Sequence, residues 1–91
     1  MAFVFRFTPQ GFTADKYDEV IKRLEEAGEG APEGRLYHVC FGDKQNLNVS
    51  DIWDSMENFE KFGQTMIPIM QGVGVDPGKP EIVEVYNTVA G

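Results

Sequence analysis

Residues 49–73 (VSDIWDSMENFEKFGQTMIPIMQGV) change period in mid-run, and that change constrains the fold more than any other feature. Val49, Asp51 and Trp53 alternate with Ser50 and Ile52, which is the period of a strand. Asp54 and Ser55 then interrupt it. The Ser55 hydroxyl suits an N-cap, where it accepts from free amides two or three residues on. Glu57 adds negative charge at the positive helix end. Phe59, Phe62, Met66, Ile69 or Met70, and Val73 follow at helical spacing, and a helix is expected over residues 56–72. Pro68 falls inside this helix and is expected to kink or restart it.

The flanking chain supplies the remaining elements. Phe3, Phe5 and Phe7 alternate with Val4 and Arg6 in a first strand, residues 2–8, which Pro9 and Gly11 end. Thr13 is the expected N-cap of a first helix, and Gly28 its left-handed stop. Tyr17, Val20, Ile21, Leu24 and Ala27 form the apolar stripe of that helix. Strands are expected over 35–41, 47–53 and 81–89. The order β-α-β-β-α-β is the α+β, ferredoxin-like pattern: a four-stranded antiparallel sheet with both helices on one face. The 91 residues read as one domain, 1–91.

Composition narrows the function classes. Fifteen acidic against eight basic side chains leave a net charge of −7, which argues against a nucleic-acid partner, since that needs a clustered positive surface. No apolar run is long enough to span a bilayer, so no membrane role is expected. A single cysteine fits a reducing compartment, and the reading is cytoplasmic. With one face of the sheet uncovered in so short a chain, a homodimer is expected.

The hairpin between the second and third strands decides which side chains meet. A four-residue loop, residues 43–46, places Gly42 opposite Leu47, Cys40 opposite Val49, His38 opposite Asp51 and Leu36 opposite Trp53. A loop one residue different pairs His38 with Ser50 instead. With the four-residue loop, Phe3, Phe5, Phe7, Tyr37, Val39, Phe41, Ile52, Val83 and Val85 are expected under the helices. Arg6, His38, Asp51, Trp53, Glu84 and Tyr86 are expected on the other face, with Val4, Leu36, Cys40, Val49 and Ile82.

His38, the only histidine, is the candidate general base, with Asp51 holding its tautomer; the alternative is a structural cross-strand pair. Trp53 and Tyr86 are candidates for a flat apolar ligand, or for dimer-core packing. Arg6 either binds an anionic group of the ligand or balances Asp51 or Glu84. His38 and Cys40 share a strand face, but two ligands without a third do not make a metal site, and none is expected.

The run Trp53-Asp54-Ser55-Met56-Glu57-Asn58-Phe59 resembles the W-[DE]-S-x-E-x-F signature of the dimeric α/β-barrel superfamily, which includes antibiotic-biosynthesis monooxygenases and haem-degrading monooxygenases. The resemblance implies two sheets packed as a barrel and a ligand cavity in each subunit. Gly63 stands ten positions beyond Trp53, where the haem-degrading branch places an iron-ligating histidine, so the resemblance points away from haem. It implies a monooxygenase-like enzyme without cofactor, acting on a small apolar or aromatic compound with an acidic C–H or O–H. The alternative is a non-catalytic dimeric small-molecule-binding or structural module.

Overall fold

The computed structural model describes all 91 residues, Met1–Gly91. The elements are β1 (Phe3–Phe7), α1 (Ala14–Glu26), β2 (Arg35–Asp43), β3 (Asn46–Trp53), α2 (Met56–Gly72) and β4 (Glu81–Glu84). The sheet is antiparallel in the order β2-β3-β1-β4. No helix is long and apolar enough to cross a membrane.

Both helices begin as their caps dictate. Thr13 Oγ1 accepts from the Lys16 amide at 3.3 Å, and Ser55 Oγ from the Asn58 amide at 3.2 Å. Both end in a Schellman motif. At α1, Gly28 (φ +80°) donates to the Glu25 carbonyl and Glu29 to that of Leu24. At α2, Gly74 donates to Gln71 and Val75 to Met70, and the buried Val75 and Met70 side chains supply the motif's apolar contact. Helix α2 continues through Pro68 to Gly72 and does not restart there. The donor Pro68 lacks would have met the carbonyl of Gln64, an exposed residue that water can satisfy.

The hairpin register is the expected one from Tyr37 onward: Gly42 faces Leu47, Cys40 faces Val49 and His38 faces Asp51. The outer residues of the loop, Asp43 and Asn46, also pair, which shortens the turn to Lys44 and Gln45 without shifting the ladder. The ladder departs from the count at Leu36. A bulge there puts Arg35, and not Leu36, opposite Trp53, while Tyr37 faces Ile52.

The expected sorting of faces is corrected. Strand β1 pairs Phe3 with Trp53, Phe5 with Asp51 and Phe7 with Val49, so these residues share one face. That face lies under the helices, and His38, Cys40, Asp51 and Trp53 lie there with the phenylalanines. Tyr37, Val39, Phe41, Ile52 and Val83 occupy the open face, beside Val4 and Arg6. The physical reason is that hairpin counting relates β2 to β3 but does not set the phase of β1. Both sides of this hairpin are rich in apolar residues, so composition does not set it either.

Strand β4 is shorter than the expected 81–89. Glu84 pairs with Phe3, and Val85 donates to the Ala2 carbonyl, the last bond of the ladder with β1. The core comprises Phe5, Phe7, Phe12, Val20, Leu24, Leu47, Trp53, Phe62, Met70 and Val75. The Phe5 ring stacks on Phe59 with centroids 3.9 Å apart, and Trp53 packs on Phe62 at 5.1 Å.

Candidate active site

The site begins with the loop that brings α1 over the sheet. Leu47 donates to the Phe12 carbonyl, Ala14 to that of Lys44, and Gly11 to Asn46 Oδ1. These bonds tie the start of α1 to the tip of the β2–β3 hairpin. Tyr17, one turn into α1, thereby meets the centre of β2. Its hydroxyl lies 2.6 Å from His38 Nε2. On the far side of the ring, His38 Nδ1 lies 2.5 Å from Asp51 Oδ1. Trp53 Nε1 reaches Asp51 Oδ2 at 3.4 Å.

The proton positions follow from the chemistry of each group. An ionised Asp51 only accepts, so His38 Nδ1 and Trp53 Nε1 both donate to it. In neutral His38 that leaves Nε2 as an acceptor for the Tyr17 hydroxyl. Tyr17 is well suited to hold its proton, since its pKa is pushed up to about 12, chiefly by burial and next by the negative charge that Cys40 carries as a thiolate in the same alkaline range. The result is a four-member relay, Tyr17–His38–Asp51–Trp53, running from helix to core. The Tyr17 and His38 planes are nearly parallel, 3° apart, with centroids at 6.0 Å, so the contact is through ring edges and the hydrogen bond lies close to both planes.

Asp51 is a buried carboxylate, 5% exposed, with both oxygens engaged. Cys40 sits along the same side of β2, and burial raises its thiol pKa. No group of three or more His, Cys, Asp or Glu side chains is arranged to hold a metal ion.

A cavity of about 60 Å³ adjoins the relay, lined by Tyr17, His38, Asp51 and Arg35 among apolar side chains. It is small: ligand pockets usually run about 300–1,000 Å³. A second, open groove of about 470 Å³ lies between α2 and residues 77–80. Phe7, Met66 and Pro77 line both spaces and form the wall between them. Met66, unbranched and flexible, is the most adaptable part of that wall.

Of the residues singled out in the sequence, His38, Asp51 and Trp53 converge, and the other three do not join them. Arg6 is exposed on the open face in a loose 3.9 Å pair with Glu81. Glu84 is exposed on the edge strand, opposite Phe3. Tyr86 is fully exposed beyond β4. Trp53 is completely buried in the core, so its large ring contacts protein on every side. Two residues of the site escaped sequence reasoning. Tyr17 was read as part of an apolar stripe, although a buried tyrosine hydroxyl needs a polar partner, and that need is a usable signal. Arg35 was missed because the Leu36 bulge, which turns it inward, left no mark in the pattern.

No family model and no curated protein matches the sequence. Several solved structures share its fold. The structural-genomics protein YJCS matches with a TM-score of 0.66 at 10% identity over 94% of this chain and all of its own. SnoaB, a cofactor-independent oxygenase from Streptomyces nogalater, matches at 0.62 with 17% identity over 97% of this chain and 94% of its own. A candidate antibiotic biosynthesis monooxygenase from Chloroflexus aurantiacus matches at 0.61 with 14% identity over 98% of this chain and 95% of its own. The chain thus has the ferredoxin-like fold shared by SnoaB and the antibiotic-biosynthesis-monooxygenase-like proteins.

Proposed function

We propose that this protein is a cofactor-independent, monooxygenase-like enzyme acting on a small apolar or aromatic compound with an acidic C–H or O–H. The observation that carries the reading is the Tyr17–His38–Asp51 relay opening on an apolar cavity. The substrate proton passes to the Tyr17 oxygen as the Tyr17 proton moves to His38 Nε2. The imidazolium so formed is balanced by Asp51, 2.5 Å away. For a methylene substrate, the carbanion gives an electron to dioxygen and the two radicals couple. The peroxide takes a proton and loses water, leaving a carbonyl. The sum is CH2 plus O2 to C=O plus H2O, with no external reductant.

The cavity beside the relay is too small for an aromatic ring as it stands. Displacement of Met66 joins it to the outer groove, and the combined space suits a ring whose reacting edge faces Tyr17. The protein acts as a homodimer in this reading. Tyr37, Val39, Phe41, Ile52 and Val83 make the open sheet face apolar, and a second copy is the simplest cover for it. The lone unpaired Cys40 agrees with a cytoplasmic setting.

A non-catalytic module is the second reading, and the small cavity favours it: a relay with so little space beside it serves to tie α1 to the sheet. Oxygen uptake by chelator-treated protein, measured over a panel of phenols and benzylic ketones, separates the two. Uptake lost in a normally folded His38→Gln variant supports the enzyme. Uptake that survives in that variant, or is absent across the panel, removes it.

A further inference from the structure

The chain has three arginines, and two of them have carboxylate partners. Arg23 pairs with Glu19 at 2.8 Å, and Arg6 with Glu81 at 3.9 Å. Arg35 has no carboxylate within ion-pair distance, although the chain carries fifteen acidic residues. It is also half-buried, where a charge without a counter-ion is costly. Its protein contacts are modest: one hydrogen bond from Nη2 to the Gly30 carbonyl at 3.3 Å, and the Phe62 ring 5.7 Å from its guanidinium carbon. A guanidinium has five N–H donors, so most remain free.

Arg35 lines the same cavity as Tyr17, His38 and Asp51, and it is the only permanent cation that does so. Its charge reaches the reacting end of the relay, because it opposes the upward shift of the Tyr17 phenol. The Leu36 bulge is what aims it there. We infer that Arg35 is the oxyanion anchor of the site, the group that meets the negative charge when the substrate is deprotonated.

The inference rests on the proposed function for its chemistry and adds the residue that holds the anion. As the proton leaves toward Tyr17, the electron pair stays on the substrate. Arg35 meets the new negative charge, completing a circuit in which the relay holds the proton and the guanidinium holds the anion. A planar guanidinium braced on Phe62 suits a flat oxyanion better than a flexible ammonium does.

4-Nitrophenol tests this without any turnover, since its ionised form has a separate visible band. Wild-type protein is expected to bind it as the phenolate, with its ionisation moved about tenfold toward the anion, one pH unit below the free probe. Arg35→Gln is expected to weaken binding at least tenfold and to move ionisation of the bound probe above that of the free probe. Arg35→Lys should recover part of both effects, and circular dichroism checks that each variant folds. Absence of binding to wild-type protein, or equal ionisation in wild-type and Arg35→Gln protein, overturns the inference. Anion-selective binding without oxygen uptake upholds the Arg35 assignment while removing the monooxygenase reading, so the two fail separately.

Discussion

Replacing Tyr17 with Phe isolates the outer bond of the relay, because it removes one oxygen and keeps the ring. Two effects of opposite sign follow. At neutral pH the variant loses the 2.6 Å bond to His38 Nε2. A neutral hydrogen bond contributes about 0.5–1.5 kcal/mol net, and the orphaned acceptor adds to that if water cannot reach it. The His38 side chain is 21% exposed, so water partly replaces the phenol. The expected loss is about 1 kcal/mol. In alkali the sign reverses. The unfolded phenol ionises near 10, whereas the folded one holds its proton to about 12. Between those values the unfolded chain binds fewer protons than the folded one, so wild-type stability falls as pH rises through that window. Two units correspond to at most about 2.7 kcal/mol. Solvent reaches this half-buried phenol, and the discounted figure is about 1–1.5 kcal/mol. Urea unfolding followed by Trp53 fluorescence at pH 7, 9, 10.5 and 11.5 measures both effects. The wild-type advantage should shrink to zero or invert by the highest pH, while other ionisations cancel between the two proteins. Equal stabilities at pH 7, with parallel curves to pH 11.5, would refute both the bond and the buried phenol.

Asp51→Ala leaves the donors of His38 and Trp53 without their shared acceptor, and should cost about 3 kcal/mol in the same unfolding assay. Gly34→Ala should be at least as damaging as a usual left-handed substitution, by about 2 kcal/mol or more. Gly34 has φ +87°, and an added Cβ would lie 2.5 Å from Asn58 Nδ2 and 2.6 Å from Asp54 Oδ1. Val39→Asp on the open face should convert a dimer to monomers by light scattering at micromolar concentration while leaving the relay intact; a monomeric wild-type mass would remove the dimer proposal. Trp53→Asp should unfold the chain in the same urea assay, since a fully buried tryptophan belongs to the core.

The element order and the His38–Asp51 pairing were legible because each depends on local signals. Thr13 and Ser55 mark the helix starts, and the short link between β2 and β3 sets the ladder from Gly42 to Tyr37. The direction in which the pair points was not legible. It depends on β1 placing Phe5 opposite Asp51, a long-range choice between two apolar faces. Arg6 drew attention as the cation nearest in the strand pattern, yet its phase on β1 carries it to the open side. Tyr17 belonged to the site from the start by a simple rule: a phenol on the inner stripe of α1 must find a polar partner, and His38 was available.

The Leu36 bulge has a consequence for how this chain tolerates insertions and deletions. Arg35 already stands opposite Trp53, and Tyr37 already stands opposite Ile52, with Leu36 looped out between them. Deleting Leu36 would close the loop into a regular ladder and leave every cavity-facing residue on its side of the sheet. Deleting any one residue from His38 to Gly42 would instead invert the strand's alternation between the cut and the bulge, because the period of a strand is two. A missing Val39, for example, would turn His38 out to the open face and sever it from both Tyr17 and Asp51. The second strand thus has one bulge, at Leu36 and Tyr37, where its reading frame can slip harmlessly, immediately beside a stretch where it cannot slip at all.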